Sequence, residues 1–255
     1  FEAIDRPNAM IKVPGTPEGM PAIYSLVSRG INVNVTLLFA LSAYRRAAEA
    51  YIEGLQDYLR SRGERVARVA SVASFFVSRV DTAVDRLLDG AAGKGHDAGA
   101  EAARLKGKAA VANAKLAYAE FQRIFGTGRF AALSRAGARV QRPLWASTST
   151  KNPAYSPTLY VDPLVGPHTV NTMPPQTLDA FLERGPVEET ITRGADGARA
   201  HMKALESVGI DMDAVADRLL QEGLKAFTDS YLSVVERVRH KCEALRRAAG
   251  TGRSA

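Results

Sequence analysis

Residues 31–37 read Ile31-Asn32-Val33-Asn34-Val35-Thr36-Leu37, and this strict alternation constrains the fold more than any other feature of the chain. Successive side chains of a β-strand point to opposite faces. One face therefore carries Ile31, Val33, Val35 and Leu37, and the other carries Asn32, Asn34 and Thr36. A central strand of an open parallel sheet is normally apolar on both faces, because helices cover each side. Here only the odd face suits helices, so the polar face must look into a space that holds something else. A closed barrel with a site near its strand ends meets that need. Residues 11–13 repeat the pattern, with Ile11 and Val13 flanking Lys12. A lysine on an inner face is costly unless it gains partners or sheds its charge, which is the setting in which an amine becomes a nucleophile. Periodicity alone also admits an edge-strand lysine that discourages aggregation. For Asn34 and Thr36 it admits turn chemistry or a satisfied polar core.

Strands and helices alternate along the rest of the chain. Residues 9–13, 31–39, 68–76, 142–147 and 168–173 read as five strands. A helix is expected over 16–29, with Thr16 as cap, Pro17 in its first turn and Gly30 as its stop. Ser42 is expected to cap the next helix, which carries Tyr44, Ala48, Tyr51, Ile52, Leu55 and Leu59 at helical spacing. A helix over 81–88, a Gly/Ala loop over 90–99 and a long helix over 100–125 follow, and Gly126-Thr127-Gly128 reads as a helix stop. Helices are expected over 175–184, 197–208 and 212–247, the last broken near Gly223. Such alternation predicts a parallel α/β protein.

Composition narrows the partners. The chain has 255 residues, with 34 Lys+Arg against 27 Asp+Glu for a net charge of +7. The basic residues are interleaved with Glu49, Glu53, Glu64, Glu236 and Glu243, as on solvated helix faces, and no nucleic-acid-binding motif accompanies them. No nucleic acid and no membrane partner is expected, since the longest apolar runs fall short of a bilayer span. The lone Cys242 excludes an intramolecular disulfide, and a reducing, cytoplasmic setting fits. His96, His168, His201 and His240 show no metal-ligand spacing, so no metal is expected.

The residues then tip the balance. Met10-Ile11-Lys12-Val13-Pro14-Gly15-Thr16, Gly30 to Phe39, Ser74-Phe75-Phe76-Val77-Ser78-Arg79-Val80-Asp81, Leu144 to Pro153 and Thr169 to Pro174 follow one another in the order found in transaldolases. The chain resembles that family over most of its length, in a longer bacterial branch. The resemblance implies a TIM (β/α)8 barrel of the class I aldolase type, a Schiff base and no cofactor. It also implies transfer of a dihydroxyacetone unit between sugar phosphates, such as sedoheptulose 7-phosphate and glyceraldehyde 3-phosphate. Lys12 matches the lysine that attacks the ketone. Asn34 and Thr36 match residues lining the intermediate, Thr36 helping to hold a proton-relaying water. Ser74 matches a serine on the substrate hydroxyls, and Arg79 and Ser147 match phosphate-binding positions. Where many relatives carry a second arginine, this chain has Ser149, and Lys151 is expected to supply the charge.

In the family the lysine stands on the fourth strand, so the five strands here correspond to the fourth to eighth. With Phe1 as first residue, the chain is read as a C-terminal portion without the first three βα units. Their glutamate would also be missing, and impaired turnover is expected. The alternative is a non-catalytic remnant that binds sugar phosphate or a partner. A Schiff-base aldolase that releases dihydroxyacetone is the closer rival.

Overall fold

A computed structural model describes residues 3–4, 6–92, 96–126 and 128–251. Five strands form one parallel sheet: β1 (Ile11–Pro14), β2 (Val33–Leu38), β3 (Ser71–Phe76), β4 (Gln141–Ala146) and β5 (Val170–Asn171). Their spatial order is the chain order, β1-β2-β3-β4-β5. A parallel strand can be reached only by a crossover, and crossovers are right-handed. An order that never reverses therefore puts every crossover on the same side of the sheet. One face goes under the crossover helices and the other receives none of them, which is the physical reason for the alternation in β2.

The helices are α1 (Gly19–Val27), α2 (Leu41–Arg62), α3 (Val77–Ala92), α4 (His96–Leu105), α5 (Ala109–Phe125), α6 (Gly128–Arg135), α7 (Pro175–Arg184), α8 (Ala195–Ser207) and α9 (Met212–Thr251). Beneath them the odd face of the sheet is the core: Val33, Val35, Ala73, Phe75 and Trp145 are at most 2% exposed. The Phe75 ring packs edge-on to Tyr44 of α2 at 5.2 Å and lies 5.8 Å from Trp145. The Trp145 indole N–H donates to Leu164 O at 3.1 Å, so the ring is buried with its polar group satisfied.

Several boundaries differ from expectation. Ser42 does not cap α2. The helix starts from the extended Ala40 without a side-chain cap, which places Ser42 inside its first turn. Thr16 does serve its turn, its Oγ1 accepting Gly19 N–H at 3.0 Å, but the helix proper begins only at Gly19. The long helix expected over 100–125 is two, because the chain turns at Gly107 (φ +67°) between α4 and α5. The loop expected over 90–99 is largely helical at both ends, and residues 93–95 lie outside the described set. Gly126 ends α5 as expected, while Thr127 lies outside that set and α6 starts at Gly128. Gly223 does not break α9.

Asn32 belongs by parity to the polar face, yet it serves the backbone. Its Nδ2 donates to Pro7 O (3.0 Å) and Ala9 O (3.1 Å), and its Oδ1 accepts Ala70 N–H at 2.9 Å. It staples the entries of β1 and β3 to β2, and it is 3% exposed. Asn32→Ala would strand those groups; the exposed Pro7 carbonyl can turn to water, so the half-buried Ala9 O and Ala70 N–H carry the cost, about 1 kcal/mol each. The expected result is a loss of about 2 kcal/mol by urea titration with an unchanged slope.

Candidate active site

Strand register brings the polar residues together. Lys12 pairs with Asn34, Asn34 with Val72, and Pro14 with Thr36. Neighbours in register share a face, so Lys12, Asn34, Thr36 and Ser74 all point away from the helical layer. The Ser74 hydroxyl donates to Asn34 Oδ1 at 2.7 Å, which fixes the amide of Asn34 with its Nδ2 free to donate. Thr36 is 1% exposed, and its hydroxyl has no hydrogen-bond partner among the described residues. Lys12 is exposed on that face. Its ammonium contacts one ring, with Nζ 5.7 Å from the centre of Phe227 in α9.

Above this group the strand ends form a second set. The Ser147 and Ser78 hydroxyls lie 2.9 Å apart, and Ser78 N–H donates to Ser147 O at 3.0 Å. Ser147 adopts a left-handed backbone (φ +56°), which carries β4 straight into that contact. Ser78 and Arg79 lie in the first turn of α3, where unpaired N–H groups and the helix dipole favour an anion. The Arg79 guanidinium rests 5.4 Å from the centre of the Phe76 ring, with no carboxylate bound to it among the described residues. Phe76 follows Ser74 by two residues, so its ring stands on the face of Lys12 and Asn34.

Lys151 lies along α3. It lines a cleft of about 360 Å³ with Asp81, Asp85, Asp89, Asn152, Tyr155 and Tyr160. Arg86 lines the cleft as well, so two cations face three carboxylates there. Tyr155 donates to Asp85 Oδ2 at 2.7 Å, and Asp85 Oδ1 accepts Gly107 N–H at 2.9 Å. Asp81 Oδ1 accepts Ala110 N–H at 2.7 Å, supplying from α3 the cap that α5 lacks in its own sequence. Burial pushes the Asp81 carboxyl up from its usual range to about 6, against the lowering effect of that N–H.

Sequence reasoning did not find Ser78, Asp81 or Phe227. Ser78 stood beside Arg79 in the quoted motif, and its signal was position in a helix's first turn. Phe227 has the weaker signal of a stripe, Leu220, Leu224 and Phe227, at helical spacing.

Among the described residues, no helix is long and apolar enough to cross a membrane. A parallel sheet whose strands stand in unbroken chain order, joined by helical crossovers, defines a parallel α/β protein. Within that class, this chain belongs to the Transaldolase/Fructose-6-phosphate aldolase family, whose sequence profile matches residues 1–238. It is 48% identical over 242 residues to a transaldolase of Thermobifida fusca, covering 94% of this chain and 64% of that protein. It is 46% identical over 249 residues to one of Trichodesmium erythraeum (96% and 65%). With one of Mycolicibacterium smegmatis it shares 45% identity over 248 residues (97% and 65%). The chain thus spans just under two thirds of the length of these relatives.

Proposed function

We propose that the chain carries the Schiff-base machinery of a transaldolase on a sheet of the (β/α)8 type, and that it moves a dihydroxyacetone unit between sugar phosphates. The observation that carries this reading is the register of Lys12 with Asn34, whose amide is held by Ser74 on the uncovered face. The Lys12 amine adds to the ketone of a ketose phosphate, and loss of water leaves an iminium. The bond between the third and fourth carbons then breaks as the fourth-carbon hydroxyl gives up its proton to a water held at Thr36. The electron pair moves into the iminium, and the shortened aldose phosphate leaves. The carbanion left on Lys12 adds to an acceptor aldose, and hydrolysis frees the amine. No cofactor is needed, because the iminium itself is the electron sink.

Asn34 supplies an amide donor beside the amine and Ser74 orients it. Thr36, a buried hydroxyl without a partner among the described residues, suits a proton-relaying water. Arg79, Ser78 and Ser147 suit the phosphate, since forked guanidinium donors and helix N-terminal N–H groups both match its oxygens. Sequence similarity to whole transaldolases supports the substrate class, and nothing in it speaks for impaired turnover.

Borohydride reduction in the presence of fructose 6-phosphate tests the reading: mass added at Lys12 supports it, and a chain that traps nothing defeats it. The rival aldolase would release dihydroxyacetone without an acceptor aldose, which product analysis separates. The phosphate assignment has its own test. Arg79→Met is expected to raise KM for the ketose phosphate at least tenfold, and Lys151→Met much less. A larger effect at Lys151 would move the phosphate to the acidic cleft.

A further inference from the structure

We infer that Phe227 of α9 is a positioning residue for the Lys12 amine, and that the packing of Gly223 on Leu37 sets its place. This deepens the Schiff-base reading and rests on it. The helix is anchored by Val215, Ala216 and Leu219, all at most 6% exposed, and it packs against β2 and α3. Leu219, Gly223 and Phe227 recur every four residues and so form one stripe. In the middle of that stripe, a Cβ added to Gly223 would come within 2.7 Å of Leu37 Cδ2. Leu37 is 1% exposed and cannot swing aside freely. The missing side chain therefore lets α9 sit close on β2, one turn before Phe227. Phe227 is 39% exposed, and from Asp229 to Arg247 the helix is exposed throughout. Phe227 is thus where α9 leaves the sheet, and its ring meets the Lys12 Nζ there.

The ring has two consequences for the amine. Its face attracts a cation, and among the described residues no ion pair or hydrogen bond competes for the Lys12 ammonium. The iminium carries its charge on the same nitrogen, so the attraction persists after the ketone is captured. The ring also stands on one side of the nitrogen, so a carbonyl must approach from another side. An aliphatic side chain of similar bulk would keep the wall and lose the attraction.

The test uses the 255-residue chain. Fructose 6-phosphate and borohydride measure adduct yield at Lys12, and limiting acetic anhydride without sugar measures acetylation of Lys12 relative to Lys203. Thermal unfolding confirms that each variant is folded. Phe227→Leu is expected to lower adduct yield about three- to tenfold, and Phe227→Tyr to restore it. Gly223→Val is expected to lower it similarly, although residue 223 does not touch Lys12. In both Phe227→Leu and Gly223→Val, acetylation of Lys12 is expected to change at least twofold against Lys203. Wild-type yield in Phe227→Leu, or equal loss in Phe227→Tyr, overturns the inference. If the wild-type chain forms no adduct, the Schiff-base reading fails by itself. The acetylation ratio then decides alone, and an unchanged ratio in both variants overturns the Phe227 assignment.

Discussion

Lys12→Met is expected to abolish the reducible adduct with fructose 6-phosphate and to lower transfer more than about 10³-fold, with little change in stability. Covalent catalysis divides one difficult step into two easier ones, and no other group on the uncovered face can take over. Asn34 carries an amide, Thr36 and Ser74 carry hydroxyls and Arg79 a guanidinium, so none offers the primary alkylamine that an imine needs. Methionine nearly matches the lysine stem in length, and Lys12 is exposed with no ion pair to lose among the described residues. Chemistry and folding should therefore separate cleanly. Mass spectrometry after reduction reads the first, and urea unfolding reads the second. Residual adduct elsewhere in the chain would mean that the register of β1 with β2 misled the assignment.

Asp81 is expected to make the chain less stable as pH rises from about 4 to about 6, by roughly 3 kcal/mol relative to Asp81→Asn. The carboxyl titrates near 3.8 when unfolded and near 6 in the fold, where burial is the main cause. The folded state thus binds the proton more tightly between those values. Its contribution is fully present below about 4 and is lost as pH climbs through about 6. Asparagine keeps the shape and can still accept the Ala110 N–H through Oδ1, but it carries no charge at any pH. Other carboxylates titrate in both proteins and cancel in the difference between the two unfolding curves. Parallel curves would show that the Asp81 carboxylate is not penalised by its surroundings. The effect reaches the site indirectly, because Asp81 lies two residues beyond Arg79 on α3 and fastens that helix to α5.

The parts of this fold that could be read from sequence are those whose signal is local. Alternation in β2 announced both its strand and its two unlike faces, and Lys12 inherited its face from the flanking Ile11 and Val13. Gly30 stopped α1 where a positive φ was required, at +79°. Gly107 has the same conformation but sits in a helical pattern with no other break, so α4 and α5 were read as one. Gly223 misled in the opposite sense. A glycine inside a helix reads as a weakness until the facing surface is known, and here that surface is Leu37. The contact between Phe227 and Lys12 spans most of the chain and depends on how α9 returns over β2. For Asn32 parity predicts the face but not its backbone partners, which come from the entries of β1 and β3. Lys151 was chosen for its charge, and its surroundings include three carboxylates.

The left-handed backbone at Leu37 (φ +57°) interrupts the pairing of β2 with β3, where the register shifts between Val35 and Leu38. A strand displaced by a single residue would turn all its side chains over, and a regular ladder offers little to forbid that. An irregular joint fits only one opposing geometry, so it acts as a detent against sliding. The amide and hydroxyl of β2 are thereby kept on the side of Lys12 by a leucine that lies outside that polar group.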